Sequence, residues 1–112
     1  MKMVVAIIRD GRLEAVRQAL EEAGFSSMTV SEVRGRGEQR GVRQQYRGSE
    51  YVIDLLPRIR VEVAVHDGAA ERVVGLICEA ARTGEPGDGK VFVFPLDDAV
   101  RVRTCERGDG VL

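Results

Sequence analysis

Cysteine, histidine and long apolar runs are scarce in this chain, and each scarcity removes a class of function. The two cysteines, Cys78 and Cys105, have no metal-ligand spacing. They read as reduced thiols of a reducing compartment, and neither lies in a motif that would activate it. The single histidine, His66, falls at the end of an alternating segment with no nucleophile pattern beside it, and a lone exposed histidine is more often inert than catalytic. No apolar stretch approaches the ~20 residues that span a bilayer. The apolar run near the N-terminus is too short for the core of a signal peptide and leads to no cleavage site, so a cytoplasmic protein is expected. An excess of one charge is missing as well: the formal net charge of -1 gives no global attraction to nucleic acid or to anionic lipid.

What is present suits one folded domain over residues 1–112, since 44% hydrophobic and 31% charged residues place the chain among neither disordered nor membrane-embedded proteins. A domain of this size buries about two thirds of its unfolded surface, so it folds alone but gains from oligomerisation. Met3 to Ile8 is a continuous apolar run suited to a central strand. From Arg12 to Ala23, the residues Leu13, Val16, Leu20 and Ala23 recur on one helical face, and Gly24 supplies the left-handed residue that ends many helices. Met28 to Val33 reads as a second strand. Ile59, Val61, Val63 and Val65 alternate with Arg58, Arg60, Glu62 and Ala64, the pattern of a half-buried strand. Asp67-Gly68 can start a helix through the capping power of an Asp carboxylate, and Ala70, Val73, Val74, Ile77 and Ala81 form its buried stripe. Val91 to Phe94 makes a fourth strand ended by Pro95, and Val100 to Arg103 a short fifth. The order β-α-β-loop-β-α-β is the split βαβ, or ferredoxin-like, α+β pattern. Two helices then cover one face of a four-stranded antiparallel sheet, and the uncovered face favours a homo-oligomer.

Three segments could carry chemistry. Thr83-Gly84-Glu85-Pro86-Gly87-Asp88-Gly89-Lys90 joins the second helix to the fourth strand. Its glycines let backbone N–H groups converge on a phosphate, with Lys90 as a charge at the exit. It is not a Walker A loop, because the spacing differs and a strand follows. An ordinary glycine-rich connection with an Asp-Gly turn explains the composition as well. Residues Arg34 to Leu56 follow neither helical nor strand period, and a structureless loop of ~20 residues is usually functional or disordered. Between Arg34 and Arg47 it sets five arginines against the one acid Glu38. An RNA-binding arm, a solvated loop and a clamp over nucleotide phosphates all fit that charge, although the strands lack the paired aromatics on which bases stack. Arg101 and Arg103, two apart on the expected fifth strand, suit phosphate oxygens or protect a sheet edge. Glu62 beside Arg60 and Arg58 reads as a salt-bridging or binding residue, not a general base, and no enzyme signature is found.

Tyr46-Arg47-Gly48-Ser49-Glu50-Tyr51 and Thr83 to Val93 closely resemble the two signature segments of the PII nitrogen regulatory proteins, and Arg101-Val102-Arg103-Thr104 extends the resemblance over essentially the whole chain. The resemblance implies a homotrimer of ferredoxin-like subunits with ATP and ADP competing for clefts between neighbours. It also implies that Mg2+ and 2-oxoglutarate join the ATP state at the base of the long T-loop, about residues 36–55, with a C-terminal loop at about 103–112. By position, Thr29 matches the adenine contact, Gly35, Gly37 and Gln39 the loop base, and Glu62 and Ala64 the ribose and base sides. Gly87, Asp88, Gly89 and Lys90 match the phosphate grip, with Arg101 and Arg103 arriving from the adjacent subunit. Gln39 would help to coordinate Mg2+ and 2-oxoglutarate, with Gly41, Arg58 and Gly87 also at the effector. Tyr51 and Ser49 match residues that are uridylylated or phosphorylated in different branches. The implied function is a non-enzymatic signal transducer that reports energy and carbon/nitrogen status to proteins such as an ammonium transporter, meeting the membrane only through that partner and binding no nucleic acid. Arg58 stands where the family usually has lysine, and Arg36 where it commonly has an apolar residue. Arginine keeps the charge but is longer and planar, which alters the grip on 2-oxoglutarate.

Overall fold

The computed structural model describes residues 1–37, 42–46, 49–53 and 55–112, the segments 42–46 and 49–53 by their backbone. Alternating and continuous apolar runs become strands β1 (Lys2–Ile8), β2 (Thr29–Gly35), β5 (Leu56–Val65) and β6 (Gly89–Pro95). They form one antiparallel sheet in the order β2-β5-β1-β6. Helices α1 (Leu13–Glu22) and α2 (Ala70–Ala81) follow β1 and β5, which completes the ferredoxin-like α+β arrangement.

The core lies between the helices and one sheet face. Val4, Ala6 and Ile8 of β1 and Ile59, Val61, Val63 and Val65 of β5 meet Val16 and Leu20 of α1 and Ala70, Val73, Ile77 and Ala81 of α2. Leu20 and Ile77 are fully enclosed, so truncating either to Ala costs about 2–5 kcal/mol. Helix α1 ends in a Schellman motif. The Phe25 N–H donates to Leu20 O at 2.8 Å and the Gly24 N–H to Glu21 O at 3.0 Å, with Gly24 at φ 92° as expected of that position. Helix α2 begins differently from the sequence expectation. The Asp67 carboxylate makes no cap bond; it accepts the N-terminal ammonium of Met1 at 2.8 Å instead, since a full positive charge outcompetes a backbone amide for a carboxylate.

Two further expectations are corrected. Residues 34–56 were expected to carry no regular structure, yet β3 (Val42–Tyr46) and β4 (Ser49–Ile53) pair antiparallel within them, from Val42↔Ile53 to Tyr46↔Ser49. A two-stranded ribbon satisfies its backbone groups across the ladder whatever its side chains, so its pairing need not leave a hydrophobic period to read. The segment Val100 to Arg103 is not a fifth strand. Val100 makes a single bridge to Arg107, and a tight turn with Cys105 at φ 61° lies between them. Ion pairs Arg101–Glu106 (3.1 Å) and Arg107–Asp98 (2.7 Å) fold this stretch on itself.

The helix-free sheet face is ordered by register. Ser31, Arg60, Ile7 and Lys90 form one row across the strands, Thr29, Glu62, Val5 and Phe92 the next, and Ala64, Met3 and Phe94 a third. The face therefore grades from cationic, near the start of β6, to apolar. Where β6 begins, the chain passes so close to β1 that a Cβ on Gly89 would stand 1.8 Å from the Ile7 carbonyl oxygen, at a φ of +110°. Gly89→Ala is expected to destabilise the protein by about 2–4 kcal/mol, from backbone strain plus the clash. Gly75→Ala is its control. Gly75 lies within α2, where a Cβ meets open space, so the change should stabilise by about 0.5–1 kcal/mol. Chemical denaturation of both variants measures the two signs.

Candidate functional site

The connection from α2 to β6 is held by its own side chains. Helix α2 stops when Arg82 turns extended, and residues 83–88 then close around the Asp88 carboxylate. Its Oδ2 accepts the Thr83 and Gly84 N–H groups, each at 2.9 Å. Its Oδ1 accepts the Thr83 hydroxyl and the Arg9 Nε, the latter at 3.2 Å. The Thr83 hydroxyl oxygen in turn accepts the Glu85 N–H at 3.2 Å. Glycines at φ 91° (Gly84), 97° (Gly87) and 110° (Gly89) make the reversals that the clasp requires. The Thr83 hydroxyl, followed by the backbone N–H groups of Thr83 and Gly84, holds the Asp88 carboxyl far below the usual carboxylate range. Both Asp88 oxygens are thus engaged inside the loop. Its carboxylate shapes the loop, and Lys90 is the cationic side chain of residues 87–90.

Lys90 lies on the open sheet face, in the same row as Arg60. Arg60 Nε pairs with Glu62 Oε1 at 2.6 Å along β5, the salt-bridging role read for Glu62. Arg58 Nη1 donates to its neighbour's carbonyl, Pro57 O, at 2.9 Å. Thr29 stands opposite Glu62 on β2, Gly35 ends β2 opposite Leu56, and half-buried Ala64 borders the apolar end of the face. Gly37 is exposed. Gln39 and Gly41 lie outside the described residues, and Ser49 and Tyr51 are described as backbone positions of β4. Arg101 and Arg103 do not share a strand face, because the 100–107 turn separates them. Arg101 is tied to Glu106, and Arg103 is exposed.

Arg9 is the residue that the sequence reading missed. Only the Asp10-Gly11 break was legible there; the partners of Arg9 lie 77 and 79 positions away. Among the described residues no cluster of three or more His, Cys, Asp or Glu could hold a metal ion. Mg2+ commonly takes several of its oxygens from bound phosphates, and Gln39, the side chain expected to join it, lies outside the described residues. The glycine turns and the cationic end of the sheet face suit a polyphosphate, and the apolar end suits a ring.

The comparisons agree with one another. The family model for nitrogen regulatory protein P-II matches residues 1–106. The chain is 52% identical over 108 residues to nitrogen regulatory protein P-II 2 of Methanothermobacter thermautotrophicus and 51% identical to P-II 1 of the same organism, covering 96% of this chain and 94% of each relative. It is 45% identical to nitrogen regulatory protein P-II of Rhodospirillum rubrum, with 96% of both chains covered.

The clasp has a pH signature. A folded-state Asp88 pKa below the unfolded value of about 3.9 contributes stability at neutral pH that is lost as pH falls below about 4 toward the folded value. Asp88→Asn should lower the melting temperature at pH 7, and the gap to the parent protein should narrow below about pH 4. A gap that is constant across that range would show that the carboxylate charge does not hold the loop.

Proposed function

The chain belongs to the nitrogen regulatory protein P-II family, and we propose that it is a signal transducer that senses adenine nucleotides through the Thr83–Lys90 loop. ATP and ADP compete for the cationic end of the open sheet face, with the base toward Thr29, Glu62 and Ala64 and the phosphates over Gly87, Asp88, Gly89 and Lys90. The sites lie in clefts of a homotrimer, where Arg101 and Arg103 of the neighbouring subunit complete the phosphate grip. Mg2+ and 2-oxoglutarate join the ATP state through Gln39, with Gly35, Gly37 and Gly41 at the loop base and Arg58 at the far carboxylate. The effector's 2-oxo-acid end chelates the ion, and its distal carboxylate seeks a cation.

The observation that carries this reading is the self-clasped loop whose exit sets Lys90 in register with Arg60. A loop already held by its own contacts, leading to Lys90 in the same row as Arg60, favours a phosphate chain with little loop ordering left to do on binding. Ligand at the base of residues 36–55 then biases the conformations of that segment, and with them the surface offered to nitrogen-metabolism proteins such as an ammonium transporter. The role proposed is binding, not turnover. Among the described residues no helix is long and apolar enough to cross a membrane; the membrane contact proposed is through such a partner.

Calorimetry tests the reading. ATP and ADP should bind, and Lys90→Ala should weaken both by about 10- to 100-fold, the worth of one charge-assisted contact. Mg2+ with 2-oxoglutarate should tighten the ATP complex. Arg58→Ala should remove that tightening while leaving ATP alone, and Arg58→Lys should keep it. Absence of nucleotide binding together with salt-sensitive RNA binding would replace this reading with an RNA-binding one, and rapid ATP turnover would replace it with an enzyme.

A further inference from the structure

We infer that Arg9 is a positioning residue for the phosphate loop, clamping both flanks of Gly87 so that its peptide groups are set before a ligand arrives. This inference rests on the nucleotide reading above. Arg9 follows the last residue of β1, directly beyond the Ile8↔Gly89 pair. Its Nη2 donates to Pro86 O at 2.6 Å, and its Nε to Asp88 Oδ1 at 3.2 Å. Those two acceptors bracket Gly87, which has no side chain to restrain it and sits at φ 97°. A free glycine between two mobile neighbours would lose much backbone entropy on closing around a phosphate. With its flanks tied to β1, that loss is incurred on folding and not on binding.

The side-chain type matters. A planar guanidinium reaches two acceptors on different residues at once, whereas an ammonium is a point charge that serves one well. Arg9 is itself partly buried, with 30% of its side chain exposed, so the contact is partly withdrawn from solvent screening. A second arginine from the same turn anchors the loop's entry: Arg12 Nη2 donates to Arg82 O at 2.9 Å. Three consecutive residues of one strand end thus govern the loop from below. The Ile7 carbonyl demands glycine at 89, Ile8 sets the register, and Arg9 grips 86 and 88.

Amide hydrogen exchange and calorimetry on the full chain test this together. In ligand-free Arg9→Ala, the Thr83 and Gly84 amides that bond to Asp88 should exchange about tenfold faster or more, while the Ile77 amide in α2 is unchanged. ATP should bind about tenfold more weakly, with adenosine affinity unaltered because adenosine carries no phosphate. Arg9→Lys should fall between the two on both measures. Unchanged loop exchange, unchanged ATP affinity, or an equal loss for ATP and adenosine would overturn the inference. If the parent protein binds no nucleotide, the nucleotide reading fails by itself. Exchange then decides the clamp alone, accelerated loop amides sustaining it and unaltered ones overturning it.

Discussion

The Asp88 carboxylate is the contact on which the glycine-rich end of this molecule depends. It gathers the Thr83 hydroxyl, two backbone amides and the Arg9 guanidinium, and so converts a glycine-rich connection into a fixed object. A glycine-rich chain unaided is costly to order. Because the loop leads straight into β6, its shape also decides where Lys90 emerges on the sheet. Asp88 spends both of its oxygens on the protein itself. That division of labour is physically sensible, since a bare carboxylate aimed at a phosphate would repel it.

The second constraint is the sheet itself. One face is consumed by the helices, through a core of valine, isoleucine, leucine and alanine. The other is left open, with cations at one end and Met3, Phe92 and Phe94 at the other. Phe92 and Phe94 remain 50% and 42% exposed in the single chain. An amphipathic nucleotide has the same polarity, charged at its phosphates and flat and apolar at its base. Covering such a face with a neighbouring subunit would bury the aromatics and bring a second set of arginines to the phosphate end. The trimer proposed above would serve packing and binding alike.

Periodicity made the core legible. The run Met3–Ile8, the alternation Ile59–Val65 and the stripes of α1 and α2 each bury a face, and burial leaves a pattern in sequence. Elements held by backbone pairing or by ion pairs left none. The β3–β4 ribbon rests on backbone pairing, and the 100–107 turn rests on ion pairs whose alternating Arg-Val-Arg read as a strand. Asp67 looked like a helix cap because local capping is a local signal, whereas its actual partner, the Met1 ammonium, is 66 positions away. The same distance problem hid Arg9. In the site, Thr83–Lys90 and Glu62 stood out by composition and charge, but the assignment of roles came from resemblance to a family. The contacts that give Asp88 its structural role could be seen only once strand ends were brought together.

The central claim is that residues 87–90 receive phosphates, and the most direct measurement is a backbone NMR titration of the protein with ADP and, separately, adenosine. The account predicts that ADP shifts the amide signals of Gly87, Asp88, Gly89 and Lys90 most strongly and that adenosine leaves those four nearly in place. Equal shifts from both compounds, or ADP-induced shifts concentrated on α1 and α2 with the loop unmoved, would contradict it.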